Sequence, residues 1–437
     1  MRIQYFLKEI VRSSRKPNVA LVKTLNPALR RLLLTAVILV LAAHTAQGQQ
    51  WVQTTPLPDG YQEQGLVYSS GFLYQTGGSS RLNGDQDGTN VFYAPVYTNG
   101  IVGVWNTGTQ LPEAVLNHAA VTLNGFVYVL GGYHYTPASN DFISKVVYYS
   151  KIHSDGSIGP RQVANPMPYS AFFESASIWN NRIYIIGGWT SAQALTSAIY
   201  SANIQPDGSL SAWVAQTSVP DAIYTQGEVS NGYLYVLGGV VNGGEELINI
   251  VYYTRINADG TLGGWNPTQS LPQVTANPGA VAASGYIFTM TGFNGSSLLN
   301  TFYMASVAGD GSVGSWSAGT PLPQALTYSA AAVSDSYIFV SGGAANTGIS
   351  SAVYSLNLPP PPTTPALILP SSTTNGNFQL ELTSSRNTGF GIQASTDLTT
   401  WIDIGWGFTD TNGDMLFQDT NAASFPNQFY RAYWPLP

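Results

Sequence analysis

The sequence predicts an all-β protein: a six-bladed β-propeller closed by its own N-terminal strand and followed by a small C-terminal β-sandwich. Three observations carry this. A hydrophobic strand ending in a glycine marker recurs six times, at Gly77-Gly78, Gly131-Gly132, Gly187-Gly188, Gly238-Gly239, Thr291-Gly292 and Gly342-Gly343, at intervals of 54, 56, 51, 53 and 51 residues. Each marker is followed by an aromatic strand, and in the first five units by a Gly-containing turn and a fourth strand. The last unit stops after its third strand at Leu358, while an unmatched fourth-type strand, Trp51 to Leu57, precedes the first unit. Self-similarity at such a period means stacked supersecondary units.

Each unit reads as four strands. The first two are apolar and joined by tight turns, at Asn124-Gly125, Asn180-Asn181, Asn231-Gly232, Ser284-Gly285 and Asp335-Ser336 in the last five units. Such residues tolerate the positive φ that a two-residue hairpin needs. The third strand carries an aromatic in register: Phe92, Tyr148, Tyr200, Tyr252, Tyr303 and Tyr354. A second hairpin turns at Asn99-Gly100, Asp155-Gly156, Asp207-Gly208, Asp259-Gly260 and Asp310-Gly311, and leads to Trp105, Arg161, Trp213, Trp265 and Trp316. Trp51 is therefore expected to complete the last blade, a closure that protects the sheet edges.

The stretches 124–132 (NGFVYVLGG) and 231–239 (NGYLYVLGG) resemble kelch repeats, the class that also builds the central domain of galactose oxidase. The resemblance spans residues 51–358, and a period near fifty is of the kelch type. Two features depart from it: a long hairpin between third and fourth strands, as from Tyr200 to Trp213, and Arg161 in place of one blade tryptophan. Both place the chain among divergent bacterial kelch-like proteins. Galactose-oxidase-type copper chemistry, which the resemblance would bring, needs a cysteine-linked tyrosine, and the chain has no cysteine.

The two ends read differently. Residues 1–48 carry eight of the sixteen basic residues, an apolar run from Leu32 to Ala43 and a small-residue site at Ala46-Gln47-Gly48, as a cleaved secretory signal peptide does. The chain is thus expected to be secreted, to the periplasm, the cell surface or the medium. Beyond residue 50 there remain 22 acids and 8 bases, a net charge of −14. That balance argues against a nucleic-acid partner, which needs a cationic patch. No later stretch is long and apolar enough to span a membrane, so none is expected after signal cleavage, and the protein is expected to be a monomer. Without disulfides, stability must come from the core, which a chain of this size can supply. Residues 359–365 form a proline-rich linker between the propeller (49–358) and the terminal module (366–437). That module reads as short strands at 378–382, 390–394, 401–404, 415–418 and 429–433. Its segments 395–401 and 428–432 resemble a C-terminal module recurrent in exported bacterial proteins.

Strand direction puts the starts of the inner strands and the ends of the glycine-marked strands on one face, with both sets of hairpin turns on the other. Ligands are expected on the first face. Thirteen residues before each marker stand Gln64, His118, Glu174, Thr225, Pro278 and Ser329, followed by small residues such as Ala119-Ala120, Ser175-Ala176 and Ala330-Ala331 that suit a narrow channel. The loops after the markers add Arg81, Asp85, Asp87, Tyr133, His134, Tyr135, Trp189, Glu245 and Glu246. Loops of this kind carry binding more often than scaffold does. The tryptophans and tyrosines that recur in register are assigned to packing, whereas Tyr133, Tyr135 and Trp189 break register and are candidates for stacking on a ligand.

The expected function is an exported, non-catalytic propeller that binds glycan or protein through the rim of blades 1–3, using Gln64, Arg81, Tyr133, His134, Tyr135 and Trp189, with the terminal module as an accessory. One alternative is a carbohydrate-active enzyme of the epimerase or mutarotase kind, with His118 and Glu174 as an acid/base pair. Another is a structural cell-surface protein. No cofactor is expected. Asp85 and Asp87 alternate oxygen ligands as a hard cation would want, but no distal Glu completes the loop, and no metal is assigned.

Overall fold

The computed structural model describes residues 50–80, 88–136, 139–221, 223–358, 366–368, 378–383, 389–396, 401–408, 414–420 and 429–433. Six four-stranded antiparallel sheets account for the repeats. Blade 1 consists of Gly65–Ser69, Phe72–Thr76, Val91–Pro95 and Asn106–Thr107. Blades 2 to 5 follow the same order, with inner strands Ala119–Leu123, Ser175–Trp179, Tyr224–Ser230 and Gly279–Ala283. In blade 6, Ala330–Val333, Tyr337–Ser341 and Val353–Asn357 receive Val52–Gln53 as their outer strand. Val52 lies opposite Ser355 and Gln53 opposite Tyr354, so the N-terminal strand does close the last sheet. The inner strands contact one another in chain order, and the sixth returns to the first. The result is a six-bladed ring around a channel.

The apolar core lies between blades rather than at the centre. There are six clusters, one for each neighbouring pair: Tyr128 and Leu130 of blade 2 pack with Ile183 and Ile185 of blade 3, and Phe288 and Phe302 of blade 5 with Ile338 and Val340 of blade 6. Period-two alternation explains this, because the two faces of each sheet meet different neighbours. Each glycine-marked strand is accordingly buried on both faces along most of its length.

Polar contacts repeat with the same regularity. Five tryptophans each donate their indole N–H to a carbonyl of the preceding blade: Trp51 to Thr320, Trp105 to Thr55, Trp213 to Asn165, Trp265 to Thr217 and Trp316 to Gln269, at 2.9–3.2 Å. Arg161 takes the sixth place, donating from Nη2 to the Thr109 carbonyl at 2.8 Å. On the turn face, the Tyr128, Tyr184 and Tyr235 hydroxyls donate to the carbonyls of Gly208, Gly260 and Gly311 in the next blade, each at 2.8 Å. The assignment of recurrent aromatics to interblade packing thus extends to a specific donor role.

The terminal segment forms two three-stranded sheets. Phe378–Thr383 pairs with Ala366–Ile368 and Asp414–Asp419, and Gly389–Ser395 pairs with Ile402–Phe408 and Phe429–Tyr433. They share a core of Leu380, Leu382, Phe390, Ile392 and Met415. Residues 1–48 and 359–365, read from the sequence as a signal segment and a linker, lie outside the described residues.

Candidate binding site at the channel mouth

The inner-strand column lines the channel as the repeat register requires: Gln64, His118, Glu174, Thr225, Pro278 and Ser329 all border one cavity of about 80 Å³ at its mouth. Below it, a channel of about 150 Å³ runs between Gly65, Ala119, Ala120, Ser175, Ala176 and other small residues. The column side chains do not stand free on a rim, however. Gln64 Nε2 donates to the Ser341 carbonyl of blade 6 at 2.9 Å, and His118 Nε2 meets Thr76 Oγ1 of blade 1 at 2.9 Å. Glu174 Oε1 accepts the Ala119 N–H of blade 2 at 3.4 Å, and Ser329 Oγ meets Thr291 Oγ1 of blade 5 at 2.9 Å. Each of these four bridges back to the blade before it.

This bridging explains the glycine markers. A Cβ on Gly77 would come within 2.7 Å of His118 Cε1, and one on Gly131 or Gly342 would clash with Glu174 Oε1 or Gln64 Nε2. All three glycines also have φ near +60°. Where the following column residue is the small Ser329, the marker becomes Thr291, and its hydroxyl makes the bridge instead.

The bridging bears on the alternative of an acid/base pair. His118 and Glu174 are only 8% and 5% exposed, and each is engaged with its preceding blade; no hydrogen bond or ion pair joins them. Burial, with the charge of His134 adding, pushes the His118 imidazole down to about 3, so it is neutral at physiological pH. Burial holds the Glu174 carboxyl well above its ordinary range, against hydrogen bonds from backbone N–H groups. Glu228, deeper in the channel, is pushed up to about 8 by burial, against a backbone hydrogen bond from Ala282. His118 and Glu228 therefore add little charge to the channel wall at pH 7.

What faces outward at the mouth is the residue one position earlier in each blade: Glu63, Asn117, Phe173, Tyr224, Asn277 and Tyr328, all half-buried and all bordering the cavity. Five have positive φ, between 49° and 61°. Asn adopts this conformation readily, but in Phe173 and Tyr328 it is a strained state that surrounding structure must hold. Backbone hydrogen bonds supply part of that hold: Glu63 N–H donates to Tyr328, Asn117 N–H to Glu63 and Phe173 N–H to Asn117, at 2.8–3.0 Å. Phe173 stacks on Tyr224 with ring centres 4.9 Å apart and lies 6.1 Å from Tyr328. Tyr328 also bonds the Asn277 side chain, while burial and then the charge of Glu63 raise its hydroxyl pKa.

The aromatics continue outward. Phe173 touches Phe172 at 4.9 Å, and Phe172 is flanked by Tyr133 at 6.0 Å and by its cross-strand partner Trp189 at 6.5 Å. The structure thus brings Tyr133 and Trp189 together around a ring, Phe172, absent from the sequence-based candidates. It places His134 elsewhere: 1% exposed, with Nδ1 on Glu113 Oε2 at 2.8 Å and Nε2 on the Gly131 carbonyl at 3.2 Å, it supports the rim sheet of 114–116, 133–136 and 139–143 and faces no ligand. Gln64 borders the cavity, but its amide N–H is taken by Ser341. Arg81, Asp85, Asp87 and the Tyr135 side chain lie outside the described residues. Among the described residues no cluster of three or more His, Cys, Asp or Glu can hold a metal ion, and no helix is long and apolar enough to cross a membrane.

Comparison with known proteins agrees with this architecture. No protein-family model matches the chain. It is similar to the Kelch domain-containing protein SSO1033 of Saccharolobus solfataricus, 33% identical over 81 residues, which is 18% of this chain and 9% of that protein. Its structure is similar to the solved structure of YjhT, with a TM-score of 0.56 and 13% identity, covering 76% of this chain and 99% of the other. The fold is a kelch-type β-propeller.

Proposed function

We propose that the protein is an exported, non-catalytic propeller that binds glycan at the channel mouth and the adjoining rim of blades 2 and 3, its terminal module serving as an accessory. The observation that carries this reading is the outward ring: Phe173 and Tyr328 held in a left-handed backbone conformation, at a cost of about 1 kcal/mol or more each, beside Tyr224 and the amides of Asn117 and Asn277. The backbone conformation recurs in five of the six blades and belongs to the scaffold, but an aromatic placed there takes on strain that Asn avoids, which supports a functional reason for the ring. Flat aromatic faces flanked by amide donors and acceptors suit a ligand that is apolar on the faces of its ring and hydroxylated at its edges, which describes a sugar.

The burial of His118 and Glu174, each turned to a neighbouring blade, speaks against their acting together on a substrate. The localisation proposed is outside the cytoplasm, on the strength of the N-terminal sequence.

A glycan array probed with the protein tests the proposal. Phe173→Ala and Tyr328→Ala are expected to abolish binding while the thermal transition stays cooperative. Binding that survives both substitutions removes the mouth from consideration, and turnover of a bound sugar that is lost in Glu174→Gln replaces the binder with an enzyme.

A further inference from the structure

We infer that the ligand is a linear, uncharged oligosaccharide of two or more sugar residues, bound with one end over Phe173, Tyr224 and Tyr328 and continuing outward across Phe172 toward Tyr133 and Trp189. This rests on the glycan reading above and adds length, direction and charge to it.

Length follows from the extent of the aromatic surface. The rings are linked from Tyr328 to Phe173, from Phe173 to Phe172 and from Phe172 to Tyr133 in steps of 6.1, 4.9 and 6.0 Å, and all are half-buried, so each keeps surface for contact. A single sugar over the mouth would leave the accessible faces of Phe172, Tyr133 and Trp189 uncovered. Those three belong to two different blades and two different local sheets, and they converge outside the repeat register. Interblade packing at the core needs no such meeting, since it is complete in the buried clusters beneath.

Direction follows from the channel. Below the mouth the wall is mostly glycine, alanine and serine, with the bridging side chains of Gln64, His118 and Glu174, and among the described residues it carries no Phe, Tyr or Trp. A chain therefore finds stacking surface only at the mouth and outward from it, and that surface leads toward blades 3 and 2.

Charge follows from the polar groups available. The cavity at the mouth is lined by two glutamates, Glu63 and Glu174, and by no lysine or arginine among the described residues. An anionic sugar would meet Glu63 without a cation to pair with, and its desolvation would go uncompensated. A cationic one would meet a Glu174 whose charged form burial disfavours. Asn117 and Asn277 provide neutral donors and acceptors, which suit hydroxyl groups.

Calorimetric titration of the protein with neutral β-1,4-glucan, β-1,4-mannan, β-1,3-glucan and xylan oligosaccharides of one to six residues tests this, with oligogalacturonides as the anionic counterpart. For the series that binds, affinity is expected to rise about tenfold from one residue to three and then level off, as one or two added stacking contacts allow. Trp189→Ala and Tyr133→Ala should remove that increment, so that affinity no longer rises with length, while Trp189→Phe keeps most of it and guards against a folding artefact. Phe173→Ala should weaken every member. Affinity independent of length, unchanged increments in both rim variants, or a preference for oligogalacturonides overturns the inference and leaves the glycan reading standing. If no sugar of any length binds, both fall.

Discussion

The circumference and the centre of this ring are built by opposite rules. At the circumference the same contact is made six times, an N–H from Trp51, Trp105, Arg161, Trp213, Trp265 or Trp316 to a carbonyl one blade back. At the centre no two adjacent blades use the same residue, either in the bridging column or in the outward ring above it. A ring needs equal joints to close, so uniformity is expected of scaffold. Nothing in closure demands that one blade offer Phe173, another Asn117 and another Glu63. The bridging column stands between the two regimes: its task is structural and repeated, but its residues vary, and the glycine marker varies with them.

That covariation yields the largest expected effect. Gly131→Ala forces a Cβ into Glu174 Oε1, Met167 and the Ala171 carbonyl at a φ of +58°, and should cost about 3 kcal/mol. Thr291 tolerates a side chain at the corresponding place because Ser329 follows it. The double variant Gly131→Thr with Glu174→Ser copies that pairing and should recover part of the loss in a denaturant titration. A double variant no more stable than Gly131→Ala would show that the marker glycines answer to backbone conformation alone.

The second expected effect belongs to the buried titratable groups of the centre. His118 titrates near 6.5 when unfolded and near 3 when folded, so its contribution is complete above pH 6.5 and lost as pH falls toward 3. Glu228 shifts the other way, from 4.5 to about 8, so stability is complete below pH 4.5 and lost as pH rises toward 8. Glu174 acts in the same direction as Glu228. Melting temperature should therefore peak between about pH 4.5 and 6.5 and fall on both sides. Glu228→Gln should flatten the alkaline limb, gaining about 1–2 kcal/mol at pH 8. If its pH profile superimposes on that of the unmodified protein, Glu228 is not held neutral by the fold.

How much of this was legible in the sequence follows from the same contrast. Everything repeated could be read: six glycine markers, the turns and the Trp51 strand gave six blades and their closure, and even the column at Gln64, His118 and Glu174 was located by counting. What counting cannot supply is the direction of a side chain. His118 and Glu174 were expected on a rim because their strand starts there, yet their side chains turn back between blades into space that the glycines leave. The outward ring went unnoticed although it lies one position earlier, because Glu63, Asn117, Phe173, Tyr224, Asn277 and Tyr328 share no chemistry. Five of the six, all but Tyr224, share a left-handed backbone conformation, and only Asn117 and Asn277 hint at that in sequence. Phe172 was missed for a related reason: its role depends on Tyr133 and Trp189 arriving from separate loops.

The smallest expected effect concerns the one irregular joint of the circumference. Arg161 makes the required bond to Thr109, but its Nε and Nη1 are buried without a partner and burial pulls its guanidinium down to about 10. A tryptophan supplies the single N–H that the other five joints use and brings no charge into the interface. Arg161→Trp should therefore raise stability by about 1 kcal/mol, the net worth of relieving buried unpaired donors less the strain of fitting a larger ring. The reverse change, Trp213→Arg, should lower it by a similar amount. If Arg161→Trp destabilises instead, the circumference is less uniform than its hydrogen bonds suggest, and the arginine is retained for a purpose of its own.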